Sequence, residues 1–255
     1  MTDLDLDHRA AFLDQTALFA ELTRTADPQA PVPTCPGWTI RNLITHVGRG
    51  ERWSATIVRT RASEPVDPRT VADGKPPADA DGAATWLRDG AADLLAAVDG
   101  VGAQVPVWTF TGPRPAEWWI RRRLHEVVAH RADAALALGV PYDLAPELAA
   151  DAVSEWLDLL TVPRREAGEP PLSDGATMHL HATDEGLGAA GEWMVRPAGE
   201  RIAWEHGHAK GTVAVRGAAS DLFLALLRRI PAEPPRVEVL GDREVLARFL
   251  ARTPF

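Results

Sequence analysis

Residues 118–133 read Trp118-Trp119-Ile120-Arg121-Arg122-Arg123-Leu124-His125-Glu126-Val127-Val128-Ala129-His130-Arg131-Ala132-Asp133. No glycine or proline interrupts the stretch, and apolar residues recur at helical spacing, so it reads as a long α-helix. Successive residues turn by about 100°, which stacks Glu126 and His130 on one face and leaves Asp133 one turn further along it. A carboxylate and an imidazole at i and i+4 can grip one divalent ion from a rigid element. His125 offers a competing pattern, since His-Glu-x-x-x-His is one residue longer than the metalloprotease signature. An i,i+5 pair diverges by roughly 140° around the helix, so His125 and His130 cannot readily share an ion. The protease reading is rejected and Glu126 is kept with His130. The plain alternative is a Glu/His pair on a solvated helix surface, and a third ligand would decide between the two.

The bulk properties narrow the classes. A chain of 255 residues holds one large or two smaller domains, and an apolar fraction of 45% supports a proper core. A net charge of −9 argues against nonspecific nucleic-acid binding. No apolar run approaches a membrane span, and the acidic start Met1-Thr2-Asp3-Leu4-Asp5 is unlike a signal peptide, so no membrane partner and a cytoplasmic location are expected. The single cysteine, Cys35, excludes an internal disulfide. It is read as a small buried residue in a tight loop, in preference to a thiol near a metal.

Upstream, a first helix is expected from about His8 to Thr25, ended by Asp27-Pro28. A second opens at Trp38-Thr39-Ile40, with Thr39 as N-cap and Trp38 and Leu43 as a hydrophobic staple. Its core face is Ile40, Leu43, Ile44 and Val47; His46 sits beside that stripe, with Asn42, Arg49 and Trp53 on the same flank. A loop over about 61–82, a third helix over about 83–98 and a loop over 99–115 lead to the helix already described, which ends at Gly139. Four amphipathic helices imply an antiparallel bundle, and bundles build metal sites from inward side chains on facing helices. His46 then becomes the third ligand beside Glu126 and His130, and three protein ligands leave a fourth position for water or substrate.

The character changes after a linker at 140–146. A helix from Glu147 to about Leu160 precedes strands around Met178–Ala182, Trp193–Val195, Ile202–Trp204 and Thr212–Arg216. A helix through Leu222 and Leu227, a strand at Val237–Leu240 and a last helix capped by Asp242 follow. The fold class is therefore α plus α+β: a helical bundle over 1–140, then a smaller α+β domain with an antiparallel sheet over 146–255. His179 and His181 alternate onto one strand face and His206-Gly207-His208 is a second i,i+2 pair. No third ligand is indicated for either pair, so solvated surface histidines are expected there.

Three stretches carry a resemblance. Val32–Val47, with Cys35-Pro36-Gly37-Trp38-Thr39 and His46, resembles the start of the second helix in the mycothiol-dependent maleylpyruvate isomerase family. Arg123–Ala134 resembles its Glu-x-x-x-His-x-x-Asp helix, and Val215–Leu222 its Arg-Gly-x-x-x-Asp-Leu segment. The resemblance implies a DinB-like metal-binding bundle and a sterol-carrier-like C-terminal domain. It implies a divalent ion, usually zinc, on the positions of His46, Glu126 and His130, with mycothiol as cosubstrate. It also implies an active-site arginine from the C-terminal domain, for which Arg216, Arg228 and Arg229 are the candidates. Trp53, Arg49 and Arg123 are candidates to contact the thiol. Arg122 and Arg123 either clamp a carboxylate or are rim charges, and Asp133 either orients a ligand histidine or is a solvated charge. Isomerisation of a small anionic substrate is the leading activity. Transfer of the thiol to an electrophile, and a non-catalytic metal, thiol or small-molecule carrier, are the alternatives.

Overall fold

The computed structural model describes residues 4, 6–162 and 169–253. The chain divides into two compact units, one from Asp7 to Tyr142 and the other taking the chain from Asp143 onward. The first holds α1 (His8–Arg24), α2 (Ile40–Arg59), α3 (Ala80–Val101) and α4 (Trp118–Leu138). A short 3-10 turn at Pro68–Thr70 and a two-residue hairpin, β1 (Pro106–Val107) with β2 (Arg114–Pro115), interrupt the loops expected there. The second unit holds α5 (Pro146–Leu160), β3 (Met178–Ala182), β4 (Glu192–Ala198), β5 (Arg201–His206), β6 (Val213–Gly217), α6 (Ala219–Leu226), β7 (Val237–Gly241) and α7 (Arg243–Arg252). The chain as a whole is α plus α+β, as the patterning requires.

Capping sets the ends of the helices that matter. Thr39 caps α2, and the Asn42 carboxamide accepts the Thr39 N–H at 2.8 Å, so an orphan donor is satisfied at the helix start. α4 stops where Gly139 takes a left-handed φ of 66°. Within the bundle, α1 packs on α3 and α4, and α2 packs on the same two, so α1 and α2 lie diagonally across the ring. α2 and α4 are neighbours, which brings His46 to the Glu126 face. Phe12, Phe19, Leu43, Leu87, Leu94, Trp119 and Leu124 fill the centre, all fully buried. α2 and α3 pack tightly at Gly48, where a Cβ would overlap the buried Trp86 ring.

The sheet corrects one expectation. Its order is β5-β4-β3-β6-β7, and β3 pairs with β6 in parallel, so the sheet is mixed and not purely antiparallel. The reason is connectivity. β3, β4 and β5 form a meander, and the chain must then return from the β5 edge to the free edge of β3. Residues 207–212 run from the end of β5 back to the end of the sheet where β3 starts, so β6 enters beside Met178 in the same direction as β3. Met178, Leu180, Trp193, Val195, Val213 and Val215 make the buried face, with Trp193 Nε1 donating to Ser154 Oγ of α5 at 2.9 Å.

Candidate metal centre

The first unit concentrates its polar burial on α4. Arg122, Arg123, His125, His130, Arg131 and Asp133 are all buried there, an unusual load for a helix core. Arg122, His130, Arg131 and Asp133 each meet a charged or hydrogen-bonding partner there, which offsets the cost of burial. Glu126 Oε1 takes a hydrogen bond from Arg122 one turn back. Its Oε2 lies 3.2 Å from His46 Nε2 and 3.7 Å from His130 Nε2. One carboxylate oxygen is thus committed to the guanidinium and the other faces both imidazoles. The two imidazole centroids are 4.8 Å apart, and the three donor atoms lie within 4.8 Å of one another. Two ring nitrogens and one carboxylate oxygen at this spacing suit a divalent ion of the zinc type.

The surroundings fix each donor. His130 Nδ1 sits 2.9 Å from Asp133 Oδ2, which commits that nitrogen and turns Nε2 toward Glu126. Asp133 is wholly buried, so it is not the solvated charge that was one of its readings. The Cys35 thiol donates to the same Asp133 oxygen at 3.4 Å, placing the lone cysteine beside the cluster and not merely in loop packing. The Trp38 ring lies over both imidazoles, its centroid 5.1 Å from His46 and 6.1 Å from His130.

Charge follows the same arrangement. Burial works against ionised Glu126, yet the Arg122 and Arg123 charges and hydrogen bonds from both histidines hold its carboxyl well below the usual range. Burial also opposes a charged His130, but Asp133, Cys35 and Glu126 together push it up to about 10. A metal at Nε2 therefore competes with a proton.

A cleft of about 610 Å³ opens beside the cluster, its wall including Trp38, His46, Arg49, Trp53, Arg123 and Glu126. Arg49 Nε is tied to the Gly74 carbonyl at 2.9 Å, and Trp53 Nε1 to the Val66 carbonyl at 2.8 Å. Arg122 and Arg123 are 3% and 6% exposed, so they are not rim charges; the half-buried Glu126 carboxylate needs their charge close by. Gly50 lets Arg123 run against α2, since a Cβ there would overlap its guanidinium. Arg216, Arg228 and Arg229 belong to the other unit: Arg216 is exposed on β6 with Glu238 3.8 Å away, Arg228 is exposed just after α6, and Arg229 donates to the Leu227 carbonyl.

Residues 9–135 match the Mycothiol maleylpyruvate isomerase N-terminal domain, and residues 147–248 match the MDMPI C-terminal domain. The chain belongs to the mycothiol maleylpyruvate isomerase family. Two uncharacterized Mycobacterium tuberculosis proteins, MT0763 and Rv0738, are each 32% identical to this family member over 163 residues, spanning 61% of this chain and 80% of theirs. Crystal structures of the mycothiol-dependent maleylpyruvate isomerase and of a histidine-to-alanine mutant share the family fold. They align with a TM-score of 0.61 over 92% of this chain and 93% of theirs, at 17% and 16% identity. Among the described residues no helix is long and apolar enough to cross a membrane.

The sequence reading missed Trp38 as a lid on the imidazoles and Arg122 as the partner of Glu126. The i,i+4 spacing of Arg122 and Glu126 was the available signal for the second. Trp38 offered none, because its contacts depend on the turn at 35–38.

Proposed function

We propose that this chain is an enzyme that uses a low-molecular-weight thiol of the mycothiol type, with a divalent ion, zinc first, held by His46, Glu126 and His130. Isomerisation of a maleylpyruvate-like cis double bond is the leading activity. The observation that carries the reading is one carboxylate oxygen facing two imidazoles at the wall of an open cleft.

When bound, a divalent ion with an open position supplies the charge that keeps a thiol deprotonated at neutral pH. The chain's own residues do the rest. Arg122 holds Glu126 in its ionised form and fixes which oxygen faces inward. Asp133 selects the His130 nitrogen presented to the cluster. Arg49 and Arg123 make the cleft wall cationic, which favours an anionic substrate. Isomerisation needs a sulfur that adds to one alkene carbon, a single bond that then rotates, and expulsion of the same thiolate as the trans alkene forms.

Trp38 and Trp53 in the wall favour a second reading, transfer of the thiol to a bulkier, more apolar electrophile, in which the new C–S bond is kept. Purified chain should carry divalent metal, one equivalent of which His130→Ala loses, and mycothiol-dependent turnover should fall by about 100-fold or more with it. Turnover of maleylpyruvate supports the isomerase, whereas turnover of a generic electrophile alone supports the transferase. The same number of metal equivalents in His46→Ala, His130→Ala and the unaltered chain would sink the ligand set.

A further inference from the structure

The sheet of the second unit carries a separate group of donors. His179 and His181 lie on one face of β3, and His181 is the cross-strand partner of Glu192 on β4. The segment returning from β5 to β6 must cross β4 and β3, and it carries His208 over that same face. His206 parts company with it: its ring packs on Trp193 and Trp204, with centroids 6.0 and 5.1 Å away. The expected pairs His179/His181 and His206/His208 are thus replaced by a set of three histidines and one carboxylate.

The contacts are close. Glu192 Oε2 lies 2.5 Å from His179 Nε2, while Oε1 lies 2.9 Å from His181 Nδ1 and 3.1 Å from His208 Nδ1. All four donors lie within 4.8 Å of one another. The three imidazole centroids are 4.9, 5.9 and 6.0 Å apart. A tetrahedral ion at about 2.0–2.1 Å from each ring nitrogen spaces such centroids by about 5 Å, so small side-chain movements suffice to close the set. The loop packs closely on the β3 backbone: a Cβ at Gly211 would lie 3.0 Å from the His179 backbone nitrogen and 2.7 Å from the Val213 carbonyl oxygen.

We propose that His179, His181, Glu192 and His208 form a second divalent-metal site, independent of the cluster on α2 and α4. Three imidazoles and one carboxylate select zinc, with cobalt, nickel and copper as competitors. Four protein donors close a tetrahedron, which marks a structural site with no position for substrate. Its ion would pin residues 207–212 to β3 and β4. The rival arrangement is a carboxylate that simply accepts three imidazole hydrogen bonds, and that arrangement has no use for metal.

The test is zinc titration of the untagged, chelator-stripped chain by calorimetry, with native mass spectrometry for stoichiometry. His181→Ala should take up one equivalent fewer than the unaltered chain. His208→Ala, on the exposed loop where folding is least at risk, should bind that equivalent about 100-fold more weakly. Cobalt at this site should give the visible bands of a tetrahedral ion, lost in His181→Ala. If the α2–α4 site takes no metal, the one remaining equivalent must still vanish with His181→Ala and survive His46→Ala. Equal zinc uptake by the unaltered chain, His181→Ala and His208→Ala would overturn the proposal.

Discussion

Glu51 on α2 is wholly buried, and no hydrogen-bond partner among the described residues meets either of its carboxylate oxygens. Gly90 of α3 makes room for it, because a Cβ there would overlap the carboxylate. Burial raises its pKa to about 8, against the lowering effect of the Arg52 and Arg123 charges. A carboxyl raised in this way stays protonated in the folded chain while the unfolded chain ionises near 4.5. Its contribution is therefore a penalty that grows as pH rises from about 4.5 to 8 and then levels off. Glu51→Gln removes the titration. In urea unfolding, its stability relative to the unaltered chain should increase by on the order of 3 kcal/mol between pH 5 and pH 8. A difference that stays flat over that interval would show that Glu51 is ionised in the fold. Residues of this kind were not legible in the sequence, where Glu51 sits in an ordinary charged run, Glu51-Arg52. Glu126 and His130 were legible, because helical spacing alone aligns them. The places of Cys35 and Asp133 were not legible, because their contact joins segments 98 residues apart and depends on how those segments pack.

The helices themselves were largely written in local signals: Asp27-Pro28 after α1, Thr39 before α2 and Gly139 after α4 each stand at a helix end. What local signals could not give is how elements meet. Gly48 reads as an unremarkable helical glycine, yet it is where Trp86 of α3 seats against α2, with the indole N–H donating to the Asp73 carbonyl at 2.8 Å. Gly48→Ala must displace a ring that is already hydrogen-bonded and buried. Overpacking of this sort costs about 1–3 kcal/mol, despite the better helix propensity of alanine. Thermal unfolding should fall by roughly 3–10 °C; an unchanged or raised midpoint would mean that α3 can slide without loss. The same limit explains the sheet. The strands of this sheet had sequence signals, β3 by alternation, but the parallel pairing of β3 with β6 follows from a loop crossing two strands, and that crossing alone brings His208 to His179.

At the scale of the whole molecule, each unit has its own apolar centre, Trp119 with Phe12 and Leu124 in one and Trp193 with Leu180 and Phe249 in the other. Domains of this size unfold cooperatively on their own cores. A ligand that binds only the folded form stabilises it by about 2.7 kcal/mol at a hundred times its Kd. If one ion belongs to each unit, zinc should raise two calorimetric transitions, each by roughly 10 °C at that excess. His130→Ala should abolish the response of one transition and His208→Ala should blunt the response of the other, each leaving its neighbour's shift intact. The pairing of variant with transition is what matters, because nonspecific zinc binding would shift both transitions alike in every variant. A His208→Ala chain with both responses at full size would remove the second ion from the account, and a His130→Ala chain with both responses would remove the first.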